Sequence, residues 1–202
     1  VALDARIRVS MAAPAGALNF AIRPYPSQLV QTLDWHGRTM TLRPIRPEDE
    51  AQHLDFLEHL DPEDIRLRVF YSRRSIERSE LARLTQIDYA REMAFVATAP
   101  DALGVERTLG VVRAVADPDN VEAEFGIIVR SEMKGEGLGE LLMKQIIDYL
   151  RQHGTQRLVA TVLAENTRML QLARELGFRE EAHKHEPGTR WVELDLAVPE
   201  RP

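Results

Sequence analysis

Three glycines alternate with other residues in Lys134-Gly135-Glu136-Gly137-Leu138-Gly139, directly after an apolar run that ends at Val129 and directly before a stretch of helical spacing. Glycine tolerates positive φ and lets a ligand approach the backbone closely. Successive N–H groups can therefore converge on a phosphate while the N-terminus of the following helix adds a favourable dipole. Lys134 places a positive charge at the rim. Anion binding by Lys134, Gly135, Glu136, Gly137, Leu138 and Gly139 is the chemistry this pattern implies; the plain alternative, a tight strand-to-helix turn without a ligand, is disfavoured by the alternation. The spacing is G-x-G-x-G, not G-x-G-x-x-G, and it follows a run of strands instead of opening a doubly wound unit, which argues against a dinucleotide fold. The sequence contains no G-x-x-x-x-G-K-[ST] phosphate loop.

Upstream, Val121-Glu122-Ala123-Glu124-Phe125-Gly126 puts two carboxylates on one face of a strand, because strand side chains alternate with period two. Glu124 and Glu122 are candidate general bases, since burial beside a substrate channel raises a carboxylate pKa toward a useful range. The competing reading is a solvated acidic face. His183 and His185 alternate in a predicted strand, a spacing compatible with metal binding, but no third ligand accompanies them, and surface residues with no metal are expected. The arginines of Ile65-Arg66-Leu67-Arg68-Val69-Phe70-Tyr71-Ser72-Arg73-Arg74 can hold an acidic partner surface or form a solvated helix face.

These residues need a scaffold, and the chain can supply one. With 202 residues, 44% of them hydrophobic, one main domain with a substantial core is expected. The net charge of −6 gives no global basic field, so nucleic acid and anionic membranes are disfavoured partners. The absence of cysteine rules out disulfides, thiolate metal sites and a cysteine nucleophile, and fits a cytoplasmic location. No apolar run is long enough to span a bilayer. Asp34 to Leu42 predicts a hairpin turning at Gly37. Helices are predicted from Pro47 to Leu60, Pro62 to Val69 and Ser75 to Thr85, and strands at Met93 to Thr98, Thr108 to Val115 and Val121 to Val129, antiparallel because their links are short. After the glycines come an amphipathic helix closed at His153-Gly154, a strand at Arg157 to Leu163, a helix from Asn166 to Leu176, and two β segments near Glu180 and at Trp191 to Leu196.

In this order the motifs resemble the GNAT acetyltransferase fold over residues 40 to 197. Glu132 to Gly137 falls on that family's Q/R-x-x-G-x-G/A coenzyme A motif, with Glu132 where Gln or Arg is usual, and Ala164-Glu165-Asn166-Thr167-Arg168-Met169 through Leu176-Gly177-Phe178 falls on its second motif. The resemblance implies an α/β (α+β) fold with a mixed central sheet, a splayed strand pair and flanking helices. It implies acetyl-CoA as cosubstrate, with pantetheine bonded along the free edge at Ile127, Ile128 and Val129, pyrophosphate on Lys134 to Gly139, and Asn166 beside the pantetheine or simply capping its helix. Glu124 matches the family's catalytic glutamate, with Glu122 next, and the N–H near Val129 is a candidate oxyanion donor. Where many members carry a tyrosine acid this sequence has Ala173, so no general acid is assigned, and neither Tyr149 nor Tyr89 is put in its place.

A closer resemblance spans the whole chain. VALDARIRV resembles the last strand of the ATP-grasp part of an ADP-forming acyl-CoA synthetase, and AIRPYP, TLRPIRPEDE and EDIRLRVFYSR resemble the junction to, and start of, the catalytic domain of bacterial protein lysine acetyltransferases of the Pat type. That resemblance implies residues 1–36 as a remnant of the preceding domain and its linker, 37–202 as the acetyltransferase domain, and a protein substrate such as an AMP-forming acyl-CoA synthetase, acetyl-CoA synthetase foremost, acetylated by direct attack in a ternary complex. A small-amine N-acetyltransferase and a non-catalytic acyl-CoA-sensing module are the alternatives on the same fold.

Overall fold

The computed structural model describes residues 23–69 and 77–197. The VALDARIRV segment, and Phe70 to Arg74 of the arginine-rich run, lie outside the described residues. The chain order is β1 (Gln31–Trp35), β2 (Arg38–Pro44), α1 (Glu50–Glu58), α2 (Pro62–Val69), α3 (Arg78–Thr85), β3 (Glu92–Pro100), β4 (Glu106–Ala116), β5 (Glu122–Val129), α4 (Leu138–Gln152), β6 (Arg157–Leu163), α5 (Thr167–Glu175), β7 (Arg179–Ala182) and β8 (Thr189–Asp195). The strands form one mixed sheet in the order β1-β2-β3-β4-β5-β6-β8-β7.

Local chemistry explains most of these elements. His36 and Gly37 both take positive φ, 50° and 77°, which closes β1 onto β2 with Trp35 opposite Arg38. The sheet begins at Gln31, and the Arg23-Pro24-Tyr25-Pro26 stretch, expected as linker, packs on it: the Tyr25 hydroxyl donates to the Pro44 carbonyl at 3.0 Å, and the Arg46 guanidinium lies 4.5 Å over the Tyr25 ring. Proline at 47 opens a 310 turn before α1, and the Asp49 carboxylate accepts two bonds from Arg43, at 2.7 Å each, and one from the Arg46 N–H.

The sheet carries helices on both faces. One face, with Phe95, Val112, Phe125, Leu158 and Ala160, packs under the buried stripe of α4 (Leu138, Leu142, Met143, Ile146, Ile147, Leu150) and the inner side of α5. The other, with Ala94, Val96 and Val111, packs under Phe56 of α1 and Leu60 just beyond its end. β5 is hydrogen-bonded to β4 from Ala123 opposite Ala116 through Val129 opposite Gly110. Its parallel pairing with β6 covers only Glu122↔Arg157, Ala123↔Leu158 and Glu124↔Val159. Beyond Glu124 the two strands diverge, and this break in the middle of an otherwise continuous sheet positions the site.

Candidate active site

The divergence leaves backbone groups of β5 without a strand partner. The Val121 carbonyl accepts from the N–H groups of Gln156 and Arg157, while the Arg130 N–H donates to the Leu109 carbonyl at 2.8 Å. Period-two alternation then turns the backbone groups of odd-numbered residues toward β6 and those of even-numbered residues toward β4. The N–H and C=O of Ile127 and Val129 therefore point into the gap. Ile128 differs from its neighbours: it lies opposite Val111 of β4, and its side chain packs on the α1 face.

The gap widens into a cleft of about 470 Å³. One lip is the glycine turn, where φ is 83° at Gly135 and 84° at Gly137, a region that L side chains avoid, and Gly137 opens α4. The N–H groups of Leu138, Gly139 and Glu140 belong to the first turn of that helix, and no intrahelical carbonyl precedes them. Together with the helix dipole they present a set of donors whose geometry suits an anion. The members of the motif divide by position. Lys134, Gly135 and Gly139 line the cleft, whereas the Leu138 side chain is fully buried in the core and the Glu136 carbonyl turns away to within 3.2 Å of His36 Nε2. The other lip is the β6–α5 turn, where the Asn166 side chain accepts from the Met169 N–H at 3.2 Å and so caps α5 while lining the cleft.

The two carboxylates occupy the face opposite α4, as period two requires. Glu122 pairs with Arg157 at 3.3 Å. Glu124 stands at the last paired position before the divergence and is exposed, with no salt bridge among the described residues. The carboxylate that the sequence reading placed beside a substrate channel is thus a solvent-facing one.

The helix predicted from Pro62 to Val69 is present as α2, but sequence reasoning did not show that it spans the cleft. α2 packs against both β5 and β6. Its Asp64 accepts from the Ser131 hydroxyl at 2.6 Å and pairs with Lys134, and its Arg66 pairs with Glu165 of the opposite lip at 2.5 Å. Arg68 lies over Gly126, where a Cβ would overlap its guanidinium. Burial, then the like charge of Arg113, pulls the Arg68 pKa below its ordinary value, and Glu124 acts in the opposite sense. The arginine-rich run was the only signal, and its spacing does not say which arginine turns inward.

His183 and His185 lie in the turn after β7, not on a strand; their rings are 6.4 Å apart. Among the described residues no group of three His, Cys, Asp or Glu converges on a possible metal site, and no helix is long and apolar enough to cross a membrane. Tyr89 and Tyr149 lie away from the cleft, the Tyr89 hydroxyl donating to the Ile45 carbonyl at 2.7 Å. Ala173 is buried in the core.

The cleft thus combines an unpaired strand edge, a helix terminus whose first-turn N–H groups have no intrahelical partner and an exposed carboxylate, and known proteins share its scaffold. A family model described as Acetyltransferase (GNAT) domain matches residues 39–179. Acetyltransferase PA5475 of Pseudomonas aeruginosa is 31% identical over 149 residues, which make up 74% of this chain and 79% of that protein. Acetyltransferase Pat of Mycolicibacterium smegmatis is 32% identical over 178 residues, 88% of this chain and 47% of the relative, so the chain spans about half of that protein's length. Among solved structures, the GNAT domain of S. lividans PAT shares the fold with a TM-score of 0.75 at 23% identity, covering 85% of this chain and 99% of that one. Spermidine N-acetyltransferase from Vibrio cholerae, solved with CoA and spermine, has a TM-score of 0.61 at 25% identity, covering 78% of this chain and 95% of its own. The match from β2 to the start of β7, together with the splayed strands and the glycine turn between them, establishes that the chain belongs to the GNAT acetyltransferase domain family.

Proposed function

We propose that this chain transfers the acetyl group of acetyl-CoA to a lysine side chain on a protein surface, with Glu124 as general base. The observation that carries the reading is the unpaired edge at Ile127 and Val129, which runs from the glycine turn to Glu124. Pantetheine is an extended chain with two amides, and a strand edge satisfies such a chain as it would an added strand. The turn from Lys134 to Gly139 would hold the pyrophosphate. At the closed end of the gap the lysine amine attacks the thioester carbonyl. A C–N bond forms, the C–S bond breaks, the amine proton passes to Glu124, and the CoA thiolate leaves to be protonated by water. Of the two edge N–H groups, that of Ile127 lies nearer the closed end than that of Val129 and would donate to the developing oxyanion without reorganisation.

A protein substrate is favoured over a small amine by the exposure of Glu124: a lysine projecting from a partner's surface reaches an open face, and docking itself then excludes water. The likeness to Acetyltransferase Pat points the same way, and from the sequence resemblance we also propose an acyl-CoA synthetase as the partner and a cytoplasmic setting. The test is CoA release from acetyl-CoA with purified acetyl-CoA synthetase as acceptor, and mass spectrometry of the acceptor lysines. Acetylation of a discrete lysine supports the reading. Transfer to spermidine but not to the protein would move the activity to small amines, and coenzyme binding without transfer to either would make the chain a sensing module.

Asp64 gives a second check on the anion site. Its carboxylate holds Lys134 and Ser131 where the pyrophosphate would compete for them. Asp64→Asn is expected to tighten CoA binding by roughly threefold to tenfold, and Lys134→Ala to weaken it by a similar factor, as befits a partly buried charge-assisted contact. Calorimetric titration with CoA reads both, and weaker binding by Asp64→Asn would remove Lys134 from the phosphate site.

A further inference from the structure

We propose that Arg68 determines which acyl groups the cleft accepts, its guanidinium closing the acyl end against chains longer than acetyl; this rests on the acetyl-CoA reading above. The acyl end is fixed by direction. A chain anchored at the glycine turn and bonded along Val129 and Ile127 meets the closed end of the gap near Phe125, about 13 Å along the strand at about 3.3 Å per residue.

That end has two walls. On the α4 and α5 side it is already filled: Phe125, Ala160, Ala173 and Phe178 are buried, with the two phenylalanine rings 5.4 Å apart. On the α2 side the lining is Gly126, Thr161, Leu67 and Arg68. Gly126 has no side chain, and the guanidinium occupies the space that one would take. A longer acyl chain has only this side to enter, and it must displace Arg68 to do so.

The guanidinium is not free to swing aside with its helix. α2 is tied to the β5 lip through Asp64 and to the β6 lip through Arg66. Arg113, the cross-strand neighbour of Gly126, is held by Glu92 and the Leu84 carbonyl and blocks one escape by like charge. Glu124 attracts it from the other side, and its depressed pKa agrees with a desolvated, packed position.

The test titrates the chain with CoA, acetyl-CoA and butyryl-CoA by calorimetry, in the parent and in Arg68→Ala and Arg68→Met, with CoA affinity as the check that each variant folds. The parent is expected to prefer acetyl-CoA. Arg68→Ala is expected to raise the butyryl-to-acetyl affinity ratio about tenfold, the scale of discrimination that a packed wall achieves against added methylenes. Arg68→Met, which refills the space without charge, is expected to keep the parent's ratio. An unchanged ratio in Arg68→Ala, or a change in Arg68→Met as large as in Arg68→Ala, would overturn the proposal while leaving the acetyl-CoA reading intact. A parent that binds none of the three would overturn both.

Discussion

Replacing Glu124 with Gln is expected to slow acetyl transfer by roughly 10²- to 10⁴-fold, the range supplied by a positioned general base, while changing acetyl-CoA affinity by no more than about twofold. A lysine amine with a pKa near 10.4 is neutral in only on the order of one molecule per thousand at about pH 7, so a carboxylate at the attack face has a large effect to supply. Gln keeps the size of the side chain and removes its ability to take a proton. Because Glu124 is exposed and makes no salt bridge among the described residues, the exchange should cost less than about 0.5 kcal/mol of stability. The defect should shrink as the pH rises and the free amine becomes common without help. Glu122 provides the internal comparison: its carboxylate is paired with Arg157 at 3.3 Å on the side of the divergence away from the cleft, so Glu122→Gln should lower transfer only a few-fold. Rates of CoA release and titration of acetyl-CoA binding separate the two. Equal losses in both variants, or loss of binding along with transfer in Glu124→Gln, would take the base role away from Glu124.

The parts of this site that are local in sequence were legible before the fold was known, and the parts made by long-range packing were not. Gly135 and Gly137 announce a turn that L side chains cannot make, and the strand before them and helix after them follow from apolar periodicity alone; their positive φ values bear this out. The face shared by Glu122 and Glu124 follows from period two. Strand 157–163 was bounded correctly, and the helix expected from 166 to 176 runs from Thr167 to Glu175, because Asn166 is the cap and Gly177 the stop. In contrast, the contacts of Asp64 with Lys134 and of Arg66 with Glu165 join residues 70 and 99 positions apart, and no periodicity within α2 encodes them. The same holds for Arg68 over Gly126. The glycine reads as a weak point in a strand, and only the packing of α2 shows that its missing Cβ makes room for a guanidinium. Tyr25 fails as linker for a related reason: a proline-flanked tyrosine looks solvent-bound in sequence, and its partners Pro44, Arg46 and Tyr89 come from later segments.

Acidification should destabilise the fold through His53 well before the carboxylates are neutralised. The side chain is 3% exposed on the inner face of α1, its ring 5.9 Å from that of Phe56, and its Nδ1 is buried without a hydrogen-bond partner. Burial, and then the charge of Arg113, lowers its pKa from 6.5 to about 4, with Asp49 pulling the other way. The unfolded chain therefore takes up this proton first as the pH falls. The neutral folded form contributes its full stability above about pH 6.5, loses it progressively down to about pH 4, and loses nothing further below that, where both states are protonated; the full change is roughly 3 kcal/mol. Asp49 cannot relieve the penalty by turning toward the imidazole, because its two oxygens are held by Arg43 and the Arg46 N–H. His53→Leu keeps an apolar side chain in the same pocket and removes the titration. Urea unfolding at about pH 7 and about pH 5 should show the parent losing about 2 kcal/mol more than the variant over that interval. An equal loss in both would mean that the imidazole finds a proton acceptor or water in the folded state and that His53 does not set the acid sensitivity of this face of the sheet.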